Sequence, residues 1–205
     1  MRPAVPATRL GRGIRMAQHA FTAAGVLALG YCLIVFLEAA LFQSREAREF
    51  AQQLGTGRPA SPAFAVHVGA GGVLGQLEIP RLGVSVMVVE GVDQEDLRRA
   101  AGHLPGTALP WQTGNVAIAA HRDTFFRPLC GIRKNDAVTL RTLRGAYRYR
   151  VVSTSVVRPE DTRVLNAGTR DSLTLVTCFP FHYVGAAPMR FIVRAERVEA
   201  APSGS

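Results

Sequence analysis

From Ala20 to Phe42 the chain reads AFTAAGVLALGYCLIVFLEAALF, 23 residues with Glu38 as the one charged side chain. A helix of that length rises about 34 Å, enough to cross a bilayer core of about 30 Å. The run is apolar on every face, so a helix built from it needs lipid or a protein core around it. It is also longer than the apolar core of about 7–15 residues in a cleaved signal peptide. The expectation is a retained transmembrane anchor over residues 20–42, with signal cleavage and a buried core helix as the alternatives. Arg2, Arg9, Arg12 and Arg15 precede the span without an acidic residue, whereas Arg45 and Arg48 after it are mixed with Glu46 and Glu49. The positive-inside bias therefore predicts a cytoplasmic N-terminus, residues 1–19, and an extracytoplasmic remainder.

The formal net charge is +9, and removing those four arginines leaves +5. No basic run with interleaved aromatics follows the span, so nucleic acid is set aside as a partner. A mildly basic surface facing anionic lipid or wall polymer is the plainer reading. Residues 43–75 read as a stalk: a short helical stretch, SREAREFAQQL, then GTGRPASPA and GAGGVLG, rich in residues that neither build a core nor hold a rigid shape.

From Gln76 the pattern turns to β. LEIPRLG, VSVMVVEG, NVAIAAH, DAVTLRTL, YRYRVVSTSVV, LTLVTC and MRFIVRAERVE are short β-rich runs bounded by Pro, Gly or charged turns. DQEDLRRAAGHL interrupts them as a helix with Asp93 at its N-cap and Gly102 as its stop, and EDTRVL fits a single turn. Seven or so short strands with few helices predict an all-β domain over residues 76–199, a closed barrel or a sandwich, with 200–205 as a tail.

Three cysteines occur. Cys32 lies in the apolar span; Cys130 and Cys178 belong to the domain, where an oxidising compartment makes a Cys130–Cys178 disulfide a serious possibility. No CxxC and no His/Cys cluster at zinc spacing appears, so no metal site is expected. His121 closes the run NVAIAA and opens the charged turn HRDTFF, while Cys178 closes LTLVTC. Strand ends on a rigid barrel can fix a reactive side chain and still expose it.

A Cys/His pair suffices for acyl transfer, because a neighbouring cation stabilises the thiolate and the histidine can protonate a leaving amine. Arg190 lies twelve residues after Cys178, beyond a turn, and a hairpin would bring its guanidinium beside the thiol to meet an oxyanion. Each residue also has a plain reading. Cys178 suits a buried hydrophobe or a disulfide half, His121 suits a turn hydrogen bond, and Arg190 suits a strand surface. His182 is a rival partner for the thiol, and His103 is read at the C-terminal end of the helix, complementing its dipole.

LTLVTCFPF resembles the TLxTC signature of sortases, the membrane-anchored cysteine transpeptidases of bacterial surfaces. LEIPRLGVSVMVVEG, GHLPGTALPWQTGNVAIAAHRDTFF and LTLVTCFPFHYVGAAPMRFIVRAE follow in family order after an N-terminal anchor, and the likeness covers about residues 76–198, most of all to the class D branch. The resemblance implies an eight-stranded barrel with one or two short helices and His121, Cys178 and Arg190 as the catalytic trio. It implies attack by the cysteine on the Thr carbonyl of an LPxTG-like motif in an exported protein. A thioacyl enzyme would follow, resolved by an amine from a cell-wall precursor or a pilin lysine. It assigns the histidine as acid and then base, and the arginine to substrate and oxyanion.

Thr177, Ala120 and Trp111 are expected at the substrate. Ala120 stands where Gly is more usual before the histidine, and Trp111 stands where a small residue is common. LPGTA, residues 104–108, looks like a sorting motif itself but recurs in the family as a loop. No acidic cluster suggests a calcium site, and no cofactor is expected. The competing functions are another extracytoplasmic cysteine acyltransferase and a catalytically silent tethered barrel that binds partners.

Overall fold

A computed structural model describes residues 8–55, 69 and 71–198, with side chains from residue 13 onward. The expected stalk sequence GTGRPASPA lies almost wholly outside the described residues, as does the tail over 200–205. The chain divides into two compact units, residues 1–41 and 42–205.

Helix α1, Thr8–Gly55, runs without a break through the apolar span. Its stretch Gly13–Gly55 is long and apolar enough to cross a membrane. The helix goes further than the expected span, and its last turns, which belong to the second unit, find partners there. Gln43 Nε2 donates to the Arg99 carbonyl (2.7 Å), and its Oε1 accepts from Met87 N–H (2.8 Å). Phe50 is buried, and the Arg99 guanidinium lies 5.0 Å from the Phe42 ring centroid. Residues 43–55 are thus helix seated on the domain rather than loose stalk.

Eight strands close into a barrel: β1 Val73–Ile79, β2 Val84–Glu90, β3 Ala101–His103, β4 Asn115–Ala119, β5 Ala137–Thr142, β6 Gly145–Val157, β7 Ser172–Phe179 and β8 Met189–Arg197. Their order is β1-β2-β3-β4-β7-β8-β6-β5, with β5 returning to β1. The parallel pairs are β2–β3 and β4–β7; the other pairs are antiparallel. Leu77, Val86, Val88, Ile118, Leu140, Val151, Leu173, Leu175 and Val193 fill the interior, one face of each strand, as the two-residue period requires. At Gly75, where the β1–β2 register shifts, a Cβ would sit 2.0 Å from the Arg141 carbonyl oxygen, so glycine lets β1 approach β5 closely.

β3 departs from the expected helix. α2 is only Gln94–Arg99, capped by Asp93 Oδ1 accepting from Asp96 N–H. Ala101–His103 instead pairs with β2, and Gly102 is an interior strand residue rather than a stop. A Cβ there would come within 2.1 Å of the Gly91 carbonyl oxygen, so close strand approach selects the glycine. EDTRVL does contain a short 3-10 turn, Thr162–Leu165.

Candidate active site

The residues expected to react are brought together by strand register. In the parallel β4–β7 pair, Asn115 faces Ser172 and Ala119 faces Val176, a constant offset of 57 positions. Two bonds carry the pairing past the end of β4. Ala120 N–H donates to the Val176 carbonyl (3.2 Å), and Thr177 Oγ1 donates to the Ala120 carbonyl (2.8 Å). His121 follows two residues after the end of β4 and one after Ala120, at the same end of the pair as Cys178. In the antiparallel β7–β8 pair, Cys178 stands directly opposite Arg190, a placement that puts Cβ atoms about 4.5–5.5 Å apart.

Side-chain alternation puts Cys178 and Arg190 on one face. Ile118 and Ala120 of the β4 segment, Leu173 and Leu175 of β7, and Val193 and Ala195 of β8 belong to the core. The alternate positions Cys178 and Arg190 therefore face outward as one row, and His121, two residues beyond β4, lies at the same end of these strands. Each is half-buried. Behind them, Phe126 N–H donates to the His121 carbonyl (3.1 Å) and the Phe126 ring is fully buried, which anchors the charged turn to the barrel.

Arg190 Nη1 donates to the Ala187 (3.2 Å) and Met189 (3.0 Å) carbonyls. Among the described residues no hydrogen bond involves the His121 ring or the Cys178 thiol. Cys130 and Cys178 are both free thiols, so the expected disulfide alternative is not what the structure contains. His182 is exposed on the β7–β8 loop.

The other expected site residues are elsewhere. Thr177 and Ala120 turn into the barrel, 2 % and 5 % exposed, where they pin β4 to β7 instead of lining an open surface. Trp111 packs beneath Arg144, whose guanidinium is 4.4 Å from its ring centroid. Arg144 sits in the β5–β6 turn, and all thirteen residues of β6 separate that turn from Val157, which pairs with Arg190. Trp111 is thus at the end of the barrel away from the row. LPGTA, residues 104–108, is held at that end too, with Leu104 N–H on the Ala117 carbonyl and Ala108 N–H on the Asn115 carbonyl.

Sequence reasoning passed over what lies just below the row. Ala119, Val176 and Ile192 form the next outward row, two residues or about 7 Å down the strands. Below that, the segment between β6 and β7 is tied across the face. Asn115 Nδ2 donates to the Val164 (3.3 Å) and Leu165 (3.0 Å) carbonyls, and Arg194 Nη1 donates to Val164 (3.1 Å). Thr174 Oγ1 donates to Asn115 Oδ1 (2.8 Å). Both threonines of TLVTC therefore act as pins between β7 and β4. Among the described residues no group of three or more His, Cys, Asp or Glu gathers in a metal-binding arrangement.

This geometry agrees with what the chain is similar to. The family model described as "Sortase domain" matches residues 77–198. The chain belongs to the sortase family. It is 37 % identical over 125 residues to Sortase D of Bacillus subtilis (strain 168), an alignment covering 60 % of this chain and 63 % of that one. To Sortase A of Bacillus anthracis it is 26 % identical over 110 residues, 52 % of each chain. The chain thus spans less than two thirds of the length of these sortases. Among solved structures, a Clostridium perfringens Sortase D5 transpeptidase shares the fold at a TM-score of 0.63 and 24 % identity, covering 78 % of this chain and 98 % of that one. A lid mutant of Sortase A from Corynebacterium diphtheriae is 31 % identical at a TM-score of 0.59, covering 63 % and 72 %.

Proposed function

We propose that this sortase is a cysteine transpeptidase that cleaves an LPxTG-like sorting signal and passes the acyl group to an amine. The observation that carries the reading is Cys178 directly opposite Arg190 on β7 and β8, with His121 just past the end of β4, the strand paired to β7. In this reading the Cys178 sulfur attacks the Thr carbonyl and an oxyanion develops, stabilised by the Arg190 guanidinium. The Thr–Gly C–N bond then breaks, and His121 gives its proton to the leaving amine. A thioester remains on Cys178. The acceptor amine attacks it, gives a proton back to His121, and releases the sulfur. The half-buried apolar pair Ala119 and Val176, bounded by the fastened β6–β7 segment, suits the apolar residues that precede the scissile bond.

The acceptor class is an amine of a cell-wall precursor or a pilin lysine, and the substrate is an exported protein with a C-terminal sorting signal. The arginine-rich flank before the span supports a cytoplasmic N-terminus and an extracytoplasmic barrel on a single-pass anchor in the cell membrane. The test is cleavage of a quenched LPxTG-like peptide by the full chain in detergent. Cleavage by the unaltered chain and its loss in Cys178→Ala is the expected result; equal cleavage by the variant would sink the assignment.

A further inference from the structure

Cys178 and Arg190 are joined by the β7–β8 loop, residues 180–188, and His121 arrives from a different strand. Nothing in the β4–β7 ladder reaches the tip of that loop, where Tyr183 is exposed and Val184 is 96 % exposed. Among the described backbone bonds inside the loop is Tyr183 N–H to the Pro180 carbonyl, at 3.3 Å. The tip is instead held from across the site. Arg122, the residue after His121, donates from Nη2 to the Tyr183 carbonyl (2.7 Å) and to the Gly185 carbonyl (2.9 Å). Its guanidinium also lies 6.0 Å from the Tyr183 ring centroid. Gly185 has φ +97°, a region that favours glycine, and this backbone lets two carbonyls converge on one nitrogen. The loop is therefore fastened twice, near its exit by Arg190 on Ala187 and Met189 and at its tip by Arg122.

The two fasteners differ in what the reaction asks of them. An arginine that turns to an oxyanion must give up some of its loop contacts, whereas Arg122 has no such duty. We propose that Arg122 is a positioning residue: it fastens the loop between Cys178 and Arg190 onto the turn that carries His121, so that His121 keeps its place relative to Cys178 while Arg190 engages substrate. This rests on the reading of Cys178 and His121 as a reacting pair. The guanidinium suits the task because its planar fork serves two carbonyls and an aromatic face together; a lysine offers a point charge and no stacking plane.

A double-mutant cycle on the full chain in detergent tests this, with Cys32 and Cys130 changed to Ser so that iodoacetamide reports Cys178 alone. The expected result is a roughly 10-fold to 100-fold slower alkylation in Arg122→Ala, as misplacement of about 1 Å can cost on that order. Arg122→Lys should recover part of the rate. In the His121→Ala background, removing Arg122 should change the rate less than about 2-fold, because what it positions is gone. Peptide turnover should show the same loss in kcat with KM nearly unchanged. A folded Arg122→Ala that alkylates as fast as the parent overturns the proposal, and so do effects of the two substitutions that simply multiply. If Arg122→Ala fails to melt cooperatively, Arg122→Lys and Arg122→Gln carry the same comparison. Alkylation needs no sorting peptide, so a chain that cleaves no peptide defeats the functional reading while the cycle still decides the role of Arg122.

Discussion

His103 on β3 and His121 just past the neighbouring β4 are held in opposite ways. His103 is 1 % exposed, and each ring nitrogen meets an oxygen: Nδ1 is 2.7 Å from Glu90 Oε2, and Nε2 is 3.0 Å from Thr107 Oγ1 and 3.1 Å from the Ala108 carbonyl. Thr107 Oγ1 donates to Leu104 and accepts from Ala117 N–H, so the whole 104–108 loop closes over that ring. His121, where β4 ends, is half-buried, and its ring has no hydrogen-bond partner among the described residues. Buried polar groups are satisfied because leaving them unpaired is costly. A histidine that must take and give a proton needs a nitrogen not already committed to the fold. The two rings thus separate a histidine committed to the fold from one left free for the proposed proton transfer.

The largest effects should come from exchanging these roles. His121→Ala is expected to lower kcat/KM for peptide cleavage by about 10²–10⁴-fold while shifting the melting temperature by less than about 2 °C. His103→Ala should do the reverse. It strands Glu90 and Thr107 and should cost about 1–3 kcal/mol of stability, read by urea denaturation, with kcat/KM within a few-fold of the parent for the fraction that folds. A His121→Ala chain that melts far lower, or a stable His103→Ala chain with no turnover, would erase the distinction.

A smaller effect should appear at another closed group. Asp136 is held below its ordinary value of 3.8 chiefly by the paired Arg81 side chain and also by Arg133 N–H, with burial opposing. A depressed folded-state value means the contribution is present above the ordinary value and fades as pH falls below it. Asp136→Asn should therefore flatten the loss of stability at acid pH, measured by melting at pH 3–7, and leave turnover near neutrality unchanged. An unaltered acid limb would show that this pair does not govern acid stability.

Much of this was legible from residues alone. β-branched runs bounded by Pro and Gly marked seven of the eight strands. β3 was hidden because Ala101–His103 follows a capped helical stretch directly, and a three-residue strand carries no period of its own. Where His121 lies relative to Cys178 was not readable, since a separation of 57 means nothing until β4 and β7 pair in parallel with that same offset. Trp111 was misplaced for the converse reason: it is near His121 in sequence, but the strand between them spans the barrel wall. Arg122 was visible only as part of a charged turn, because its partners are backbone carbonyls more than 60 positions away.

In the proposed reaction Cys178 carries the acyl group. Intact-mass spectrometry of the full chain mixed with an LPxTG-like peptide tests it most directly. The expected result is an adduct equal to the peptide through its Thr, mapped to Cys178, discharged by hydroxylamine, and absent from Cys178→Ala. Peptide cleavage without any such adduct, or an adduct that persists in Cys178→Ala, would contradict it.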